Sequence, residues 1–197
     1  MMTRFFMAAL AAVALGLSGC QSLPNTKYTK DAQSDALEFD ITGKISVTYV
    51  DPQSLELSRS SAFYGWGQRG AYYAIELSGA LGLGFTQIQG GPEGARMSSE
   101  KFGDASADTP EALLEQTTGW KAPLSALPYW VVAQADPKAT QSLSNNQGQL
   151  TSVQSDAWQA ELFYKEGESL PYLIKAKDTS PGSQSAVAIS IQTRGAL

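Results

Sequence analysis

Alternating apolar and polar residues dominate the chain from residue 37 onward. Phe39 to Tyr49 alternate with a period of two, which is typical of a long strand with one buried face. Similar patterns, separated by turns rich in Gly, Pro, Asn and Ser, predict further strands at residues 60–67, 71–78, 84–90, 94–99, 149–154, 157–165, 171–177 and 186–193. We therefore expect about nine strands, enough for a sheet that curls or closes.

A helical region interrupts the strands midway. Asp108-Thr109-Pro110-Glu111 has a capping residue followed by proline, which predicts a helix that ends near Gly119. Residues 123–132 fit either a second helix kinked near Pro128 or an apolar loop. Helices placed here could cover one opening of a curled sheet and leave a cavity inside. The expected fold is mainly β with inserted helices.

The first 20 residues have the pattern of a bacterial secretion signal. Arg4 precedes an apolar, alanine-rich run of about a dozen residues that ends in Leu17-Ser18-Gly19-Cys20. The run is shorter than the roughly 20 residues of a membrane-spanning helix, and no later segment approaches that length. We predict a signal peptide over 1–19, a lipidated N-terminus and flexible polar tether over 20–36, and a single domain over 37–197 without a transmembrane helix.

Composition excludes several classes of function. The chain carries a formal charge of −5, whereas nucleic-acid binding requires a clustered basic face. It has no histidine, and Cys20 is its only cysteine, so Ser-His-Asp and Cys-His catalysis are impossible. Asp104, Asp108, Glu111 and Glu115 could supply a hydrolytic carboxylate pair. However, negative charge at a helix start is stabilising in itself, so we predict neither an enzyme nor a metal site.

The connection between two predicted strands at residues 77–85 is unusually apolar. Three glycines alternate with Leu81 and Leu83, where polar turn residues would be expected. The leucines could form a tip that projects into solvent, a membrane or a partner's groove. Alternatively, they could fold back onto the sheet, which the spacing alone slightly favours.

Several motifs in a fixed order give the chain a resemblance to a known family. Leu-Ser-Gly-Ala-Leu-Gly at 77–82 is preceded by Phe-Tyr-Gly-Trp at 63–66 and followed by Gly119-Trp120-x-x-Pro123-Leu124 and Tyr129-Trp130. This arrangement resembles the LolB family of outer-membrane lipoproteins over roughly residues 37–194, and Leu-Ser-Gly-Cys at 17–20 resembles a lipobox. Family members typically have proline before the loop leucine, where this chain has Ala80.

The resemblance implies both an anchor and a function. Cys20 would carry an S-diacylglycerol and an N-acyl group and no other cofactor, and Gln21 in place of aspartate would direct the protein to the periplasmic side of the outer membrane. The implied fold is an unclosed antiparallel β-barrel that encloses an apolar cavity beneath a helical lid. Such a protein receives lipoproteins from the periplasmic carrier LolA, holds their acyl chains, and inserts them into the inner leaflet of the outer membrane. Leu81 would serve membrane insertion, and we expect a monomer.

Apolar residues on the predicted inner faces are candidates for the cavity wall, although for any single one the pattern favours a place in an ordinary core. They are Trp66, Tyr73, Ile75, Leu77, Trp130, Trp158, Leu162, Tyr164, Ile174 and Ile189. An alternative function is a lipid-anchored scaffold of an envelope complex that never carries lipid cargo.

Overall fold

A computed structural model describes residues 37–51, 54–79 and 84–195. The expected signal peptide at 1–19, the lipidation site Cys20, the tether that follows it, and Leu81 lie outside the described residues. The described residues form eleven strands and two helices that share one hydrophobic core. Neither described helix is long and apolar enough to cross a membrane.

The elements follow the predicted order, with two strands added. The strands are β1 (Glu38–Val50), β2 (Leu57–Arg69), β3 (Tyr72–Ser78), β4 (Thr86–Gly91), β5 (Gly94–Ser99), β6 (Gly103–Ala107), β7 (Ala139–Ser144), β8 (Leu150–Ser155), β9 (Trp158–Phe163), β10 (Leu173–Asp178) and β11 (Ala186–Arg194). The helices, both between β6 and β7, are α1 (Pro110–Thr118) and α2 (Leu127–Val131).

The strands form one antiparallel sheet in the order β6-β5-β4-β3-β2-β1-β11-β10-β9-β8-β7. Strands β6 and β7 are its two edges and do not pair with each other. The prediction of an unclosed antiparallel sheet with inserted helices is therefore confirmed. Since β1 pairs with both β2 and β11, the two ends of the domain's chain meet at the centre of the sheet.

The predicted count of nine strands is wrong, because the hydrophobic pattern did not indicate the two edge strands. Strand β6 has the sequence GDASA and β7 the sequence ATQSLS, and neither has a fully buried residue. The inward positions of these strands carry only half-buried alanines, so the alternation that identified the other strands is weak in both. Asp104, one of the candidate carboxylates, lies in β6.

The helical region confirms the predicted start and end of α1. Thr109 caps the helix by accepting a hydrogen bond from the Ala112 N–H at 3.1 Å, and Gly119 ends it in a left-handed conformation at φ 73°. The second helix exists but is only five residues long. Pro128 lies in its first turn, where proline is tolerated, rather than at a kink.

Gly43 marks a β-bulge in β1 at which only glycine fits. The register of β1 against β11 shifts between Thr42 and Gly43, and a Cβ at Gly43 would lie 1.9 Å from the Ser190 carbonyl oxygen. We expect Gly43→Ala to lower the free energy of unfolding by about 1–3 kcal/mol or more, because two strands must separate. Gly65→Ala is the control, since its Cβ would meet nothing within 4 Å. Urea unfolding that shows equal stability for both variants would contradict this account.

Candidate functional site

The interior of the curled sheet is filled by side chains of the segment 110–138. Along β1, inner positions such as Phe39, Ile41 and Val47 are buried, while the alternate positions face solvent. Opposite them lie Leu113 and Leu127 from the helical segment, exposed by 1% and 0%. The sheet and the helical segment therefore share one apolar core.

A small apolar cavity remains between the two layers. Its volume is about 30 Å³, roughly the space of one water-sized group. The sheet contributes Ile45, Val47, Tyr64, Ile75, Leu77, Ile88 and Ile189 to its wall, and the helical segment contributes Leu114, Trp120 and Leu124. The predicted apolar cavity is therefore present but small, because the side chains of the helical segment occupy most of the interior.

The candidate cavity residues fall into three groups. Ile75, Leu77 and Ile189 line the cavity. Trp66, Leu162 and Ile174 are buried in the same core away from the cavity, and Trp130 belongs to α2. Tyr73, Trp158 and Tyr164 are half-buried and pack against the core from its margins.

Trp158 lies at a surface pocket beside the helical segment. The pocket has a volume of about 550 Å³ and includes Pro123, Tyr129 and Pro137 in its wall. The Lys138 ammonium forms an exposed ion pair with Asp156 at 3.0 Å across the same rim. Trp158 therefore marks the outer margin of the interface between α2 and the sheet.

Asp136 anchors α2 to the sheet. Its carboxylate accepts hydrogen bonds from the Trp130 indole N–H at 3.0 Å, the Ser155 hydroxyl at 2.6 Å and the Lys138 backbone N–H at 3.1 Å. Asp136 is 6% exposed, so three donors offset the cost of burying its charge. Sequence patterns do not predict this contact, because only the tertiary fold brings Ser155 to Asp136.

Arg194 fixes the C-terminal end of α2 from the opposite side. Its guanidinium donates hydrogen bonds to the carbonyl oxygens of Val131 at 3.1 Å and Pro171 at 2.7 Å. Partial burial lowers the pKa of Arg194 from its ordinary value, although the residue stays charged near neutral pH. Together with Asp136, which binds the neighbouring Trp130, it fixes the C-terminal part of α2 to the sheet.

The part of the helical segment that includes α1 has polar contacts within the segment rather than to the sheet. Glu111 accepts hydrogen bonds from the backbone N–H and the hydroxyl of Ser125, at 2.6 and 3.1 Å, and Glu115 pairs with Lys121 at 3.2 Å. Both interactions lie within the segment itself. Two of the four candidate carboxylates therefore have structural contacts. Against the sheet, α1 and residues 119–124 present mainly apolar side chains, among them Leu114 and Trp120.

An open cleft lies at the end of the sheet where β1 terminates. It has a volume of about 890 Å³, and its wall includes the end of β1, the β5–β6 turn, residues 115–121 and the β10–β11 turn. Trp120 borders both this cleft and the internal cavity. Its ring lies 6.1 Å from that of Tyr49, centroid to centroid, so the two aromatic side chains separate the cleft from the interior.

Tyr73 places a polar group at the margin of the apolar interior. Its hydroxyl is buried, and the described residues offer it no hydrogen-bond partner. Burial, with a smaller contribution from the negative charge of Glu111, raises the pKa of Tyr73 to about 12. The hydroxyl therefore stays neutral at physiological pH.

Exposed aromatic residues flank the apolar connection between β3 and β4. Phe63 and Phe85 are exposed by 53% and 47%. A Cβ at Gly79 would lie 3.0 Å from the Phe63 ring, so the backbone passes close to this ring as it leaves β3. An exposed aromatic ring therefore lies near each described end of the connection, and the Glu100 carboxylate accepts a hydrogen bond from the Phe85 N–H at 3.1 Å.

The described residues contain no group of three His, Cys, Asp or Glu side chains that could hold a metal ion.

Comparisons with known proteins assign a family. The family described as "Outer membrane lipoprotein LolB" matches residues 37–193. An outer-membrane lipoprotein LolB from Stutzerimonas stutzeri (strain A1501) is 35% identical over 179 residues, covering 83% of this chain and 84% of that protein. One from Pseudomonas putida (strain F1) is 33% identical over 181 residues, covering 87% and 85%. A solved LolA superfamily protein from Nitrosomonas europaea aligns with a TM-score of 0.46 at 7% identity, covering 83% of this chain and 90% of that one.

Proposed function

Because the chain belongs to the LolB family of outer-membrane lipoproteins, we propose that it receives lipoproteins, holds their acyl chains between its sheet and its helical segment, and inserts them into the outer membrane. The observation that carries this proposal is the small apolar cavity between two apolar layers, one of which is a separate segment rather than a strand. No covalent chemistry is required.

The cargo's acyl chains supply enough free energy to displace part of the helical segment. Each buried methylene contributes about 0.8 kcal/mol, so the chains of a lipoprotein together contribute tens of kcal/mol. Exposing an apolar side chain such as Leu114 or Leu124 costs about 1.5–3 kcal/mol. Acyl chains that replace these side chains against the sheet therefore stabilise the opened state.

The region most suited to move is α1 with residues 119–124. It supplies all three helical-segment residues of the cavity wall, and Trp120 borders the open cleft as well. In contrast, α2 is fixed to the sheet by Asp136 and Arg194. We infer that acyl chains enter from the cleft past Trp120 while α2 stays in place.

The anchor and the partners follow from the same assignment. Cys20, with its diacylglyceryl and N-acyl groups, would hold the protein at the outer membrane, and residues 21–36 would link it to the described body. The donor would be the periplasmic carrier LolA, and the protein would act as a monomer.

The test of function uses a protein that starts at Gln21 and so lacks the lipid anchor. It is incubated with carrier loaded with a labelled lipoprotein, and separately with an apolar fluorescent dye. We expect transfer of the lipoprotein to this protein and an increase in dye fluorescence. A scaffold without lipid cargo would show neither result, and that outcome would refute the proposal.

Leu81 is proposed to act at release rather than in attachment. A single leucine inserted in a bilayer contributes only about 1.5–3 kcal/mol, far less than the lipid on Cys20. We expect Leu81→Glu to accept cargo normally and to deliver it to phospholipid vesicles about tenfold more slowly.

The control for this variant is Leu143→Glu, which changes an exposed leucine on the edge strand β7. Uptake is measured by cargo capture, and release by flotation of the cargo with vesicles. Normal delivery by Leu81→Glu would show that this residue has no part in release.

A further inference from the structure

The hairpin that joins β1 to β2 carries an exposed apolar tip. Leu55 is 77% exposed, and the cross-strand pair Val50 and Leu57 beside it is exposed by 41% and 49%. These three residues, called the hairpin tip, extend past the end of β3. Strand β3 pairs with β2 only from Phe63 onward, so six residues of β2 extend past it.

Leu55 is not explained by folding. Its backbone has a φ of 58°, in the left-handed region that disfavours side chains with a Cβ, and glycine would fit there at little cost. Its side chain gains almost no burial in return. A residue that is strained and exposed at once points to a role outside the folded core.

The turn holds this conformation with hydrogen bonds. The Leu55 N–H donates to the Asp51 carbonyl oxygen at 2.8 Å, and the Asp51 N–H donates to the Glu56 carbonyl oxygen at 2.9 Å. The Ser54 N–H donates to the Asp51 carboxylate at 2.9 Å. Leu55 is therefore presented on a fixed turn.

We propose that the hairpin tip is a second membrane contact, in which Leu55, Val50 and Leu57 enter the surface of a phospholipid bilayer. Leu55 and Leu57 lie outside the wall of the open cleft, and an exposed apolar hairpin end of this kind suits a deformable lipid surface. The membership of the chain in a family of outer-membrane lipoproteins places it beside such a surface.

The position of the hairpin tip in the fold agrees with contact to a bilayer. Strands β1 and β3 run in the same direction, so the hairpin tip and the connection at 79–84 lie at the same end of the sheet. The open cleft also lies at this end, and Tyr49 and Val50 belong to its wall. A bilayer that contacts the hairpin tip would face the cleft through which acyl chains are proposed to pass.

The tether is long enough to allow this orientation. Leu37 lies at the opposite end of β1 from the tip, and β1 spans 13 residues, or about 43 Å. The 17 residue steps from Cys20 to Leu37 can extend at most about 56–61 Å. A lipid on Cys20 can therefore share the bilayer that the hairpin tip contacts.

The charged residues of the hairpin determine how deeply the hairpin tip inserts into the bilayer and which lipids it prefers. Asp51 and Glu56 are acidic, and Arg59 is the nearest basic residue of the hairpin. The side chains would thus insert while the backbone stays among the headgroups, and vesicles of zwitterionic phosphatidylcholine should bind better than anionic ones.

The test uses the protein that starts at Gln21, which has no cysteine, and Leu55→Cys labelled with a polarity-sensitive dye. We expect phosphatidylcholine vesicles to shift the dye emission to the blue. Leu55→Ser should weaken vesicle partitioning about tenfold. Leu143→Ser is the matched control, since Leu143 is 67% exposed near the opposite end of the sheet and should change nothing.

Three outcomes would overturn the proposal: no dye shift with vesicles, equal partitioning of both serine variants, or a shift that needs the carrier or high protein concentration instead of lipid. The inference rests on the proposed function only for the orientation of the cleft. Cargo capture by the same variants without vesicles separates the two, because Leu55→Ser should capture cargo normally even where vesicle binding fails.

Discussion

A chain exported with an ordinary cleavable signal in place of residues 1–20 is expected in the periplasmic fraction, while the natural chain is expected wholly in the membrane fraction. Acyl chains contribute about 0.8 kcal/mol for each buried methylene, so three chains outweigh any contact made by exposed leucines. No described helix can replace this anchor by spanning the membrane.

Cell fractionation measures this difference, and mass spectrometry of the N-terminal peptide identifies its cause. The mature protein should begin at Cys20 and carry the mass of a diacylglyceryl and an acyl group. An unmodified Cys20, or equal membrane association of both chains, would show that the anchor lies elsewhere.

Trp130→Ala is expected to cause the largest loss of stability of any single substitution in the helical segment, about 3–5 kcal/mol. Trp130 is 0% exposed, and its removal leaves a large void between α2 and the sheet. The change also deprives the buried Asp136 carboxylate of the indole N–H at 3.0 Å. Denaturant unfolding of the protein that starts at Gln21 measures the loss.

Two further variants separate packing from hydrogen bonding at this position. Trp130→Phe keeps most of the ring but leaves Asp136 one donor short, which should cost about 1–3 kcal/mol. Trp158→Ala, at the half-buried margin of the same interface, should cost about 1–2 kcal/mol. A loss below about 1 kcal/mol for Trp130→Ala would mean that α2 is not packed against the sheet in solution.

The central strands and α1 could be predicted because each carries its own local signal. Inner positions of β1 and β2 alternate with solvent-facing ones, and Thr109 and Gly119 mark the ends of α1 by the chemistry of their caps. The edge strands β6 and β7 could not be predicted, since only pairing with a neighbour makes them strands. Local sequence does not record such pairing when the inward face carries only half-buried alanines.

The apolar lining of the candidate site could be predicted from the sequence, but the volume of its cavity could not. Inner-face residues such as Ile75, Leu77 and Ile189 were identifiable from periodicity, and they do line the cavity. Periodicity cannot show which helical side chains fill the space opposite them, so the small size of the cavity was not foreseen. The anchors Asp136 and Arg194 were not predicted either, because each connects α2 to the sheet through a contact between residues distant in sequence.

The most direct test of this account is to locate the cargo's acyl chains in the loaded protein. A lipoprotein carrying a photoreactive group near the end of an acyl chain is transferred to the protein that starts at Gln21, irradiated, and mapped by mass spectrometry. We expect cross-links to inner-face residues such as Ile75 and Leu77 and to Leu114 of α1, with none at outer-face positions of the same strands, such as Glu76. Cross-links confined to outer-face residues would contradict the claim that the space between the sheet and the helical segment holds the cargo.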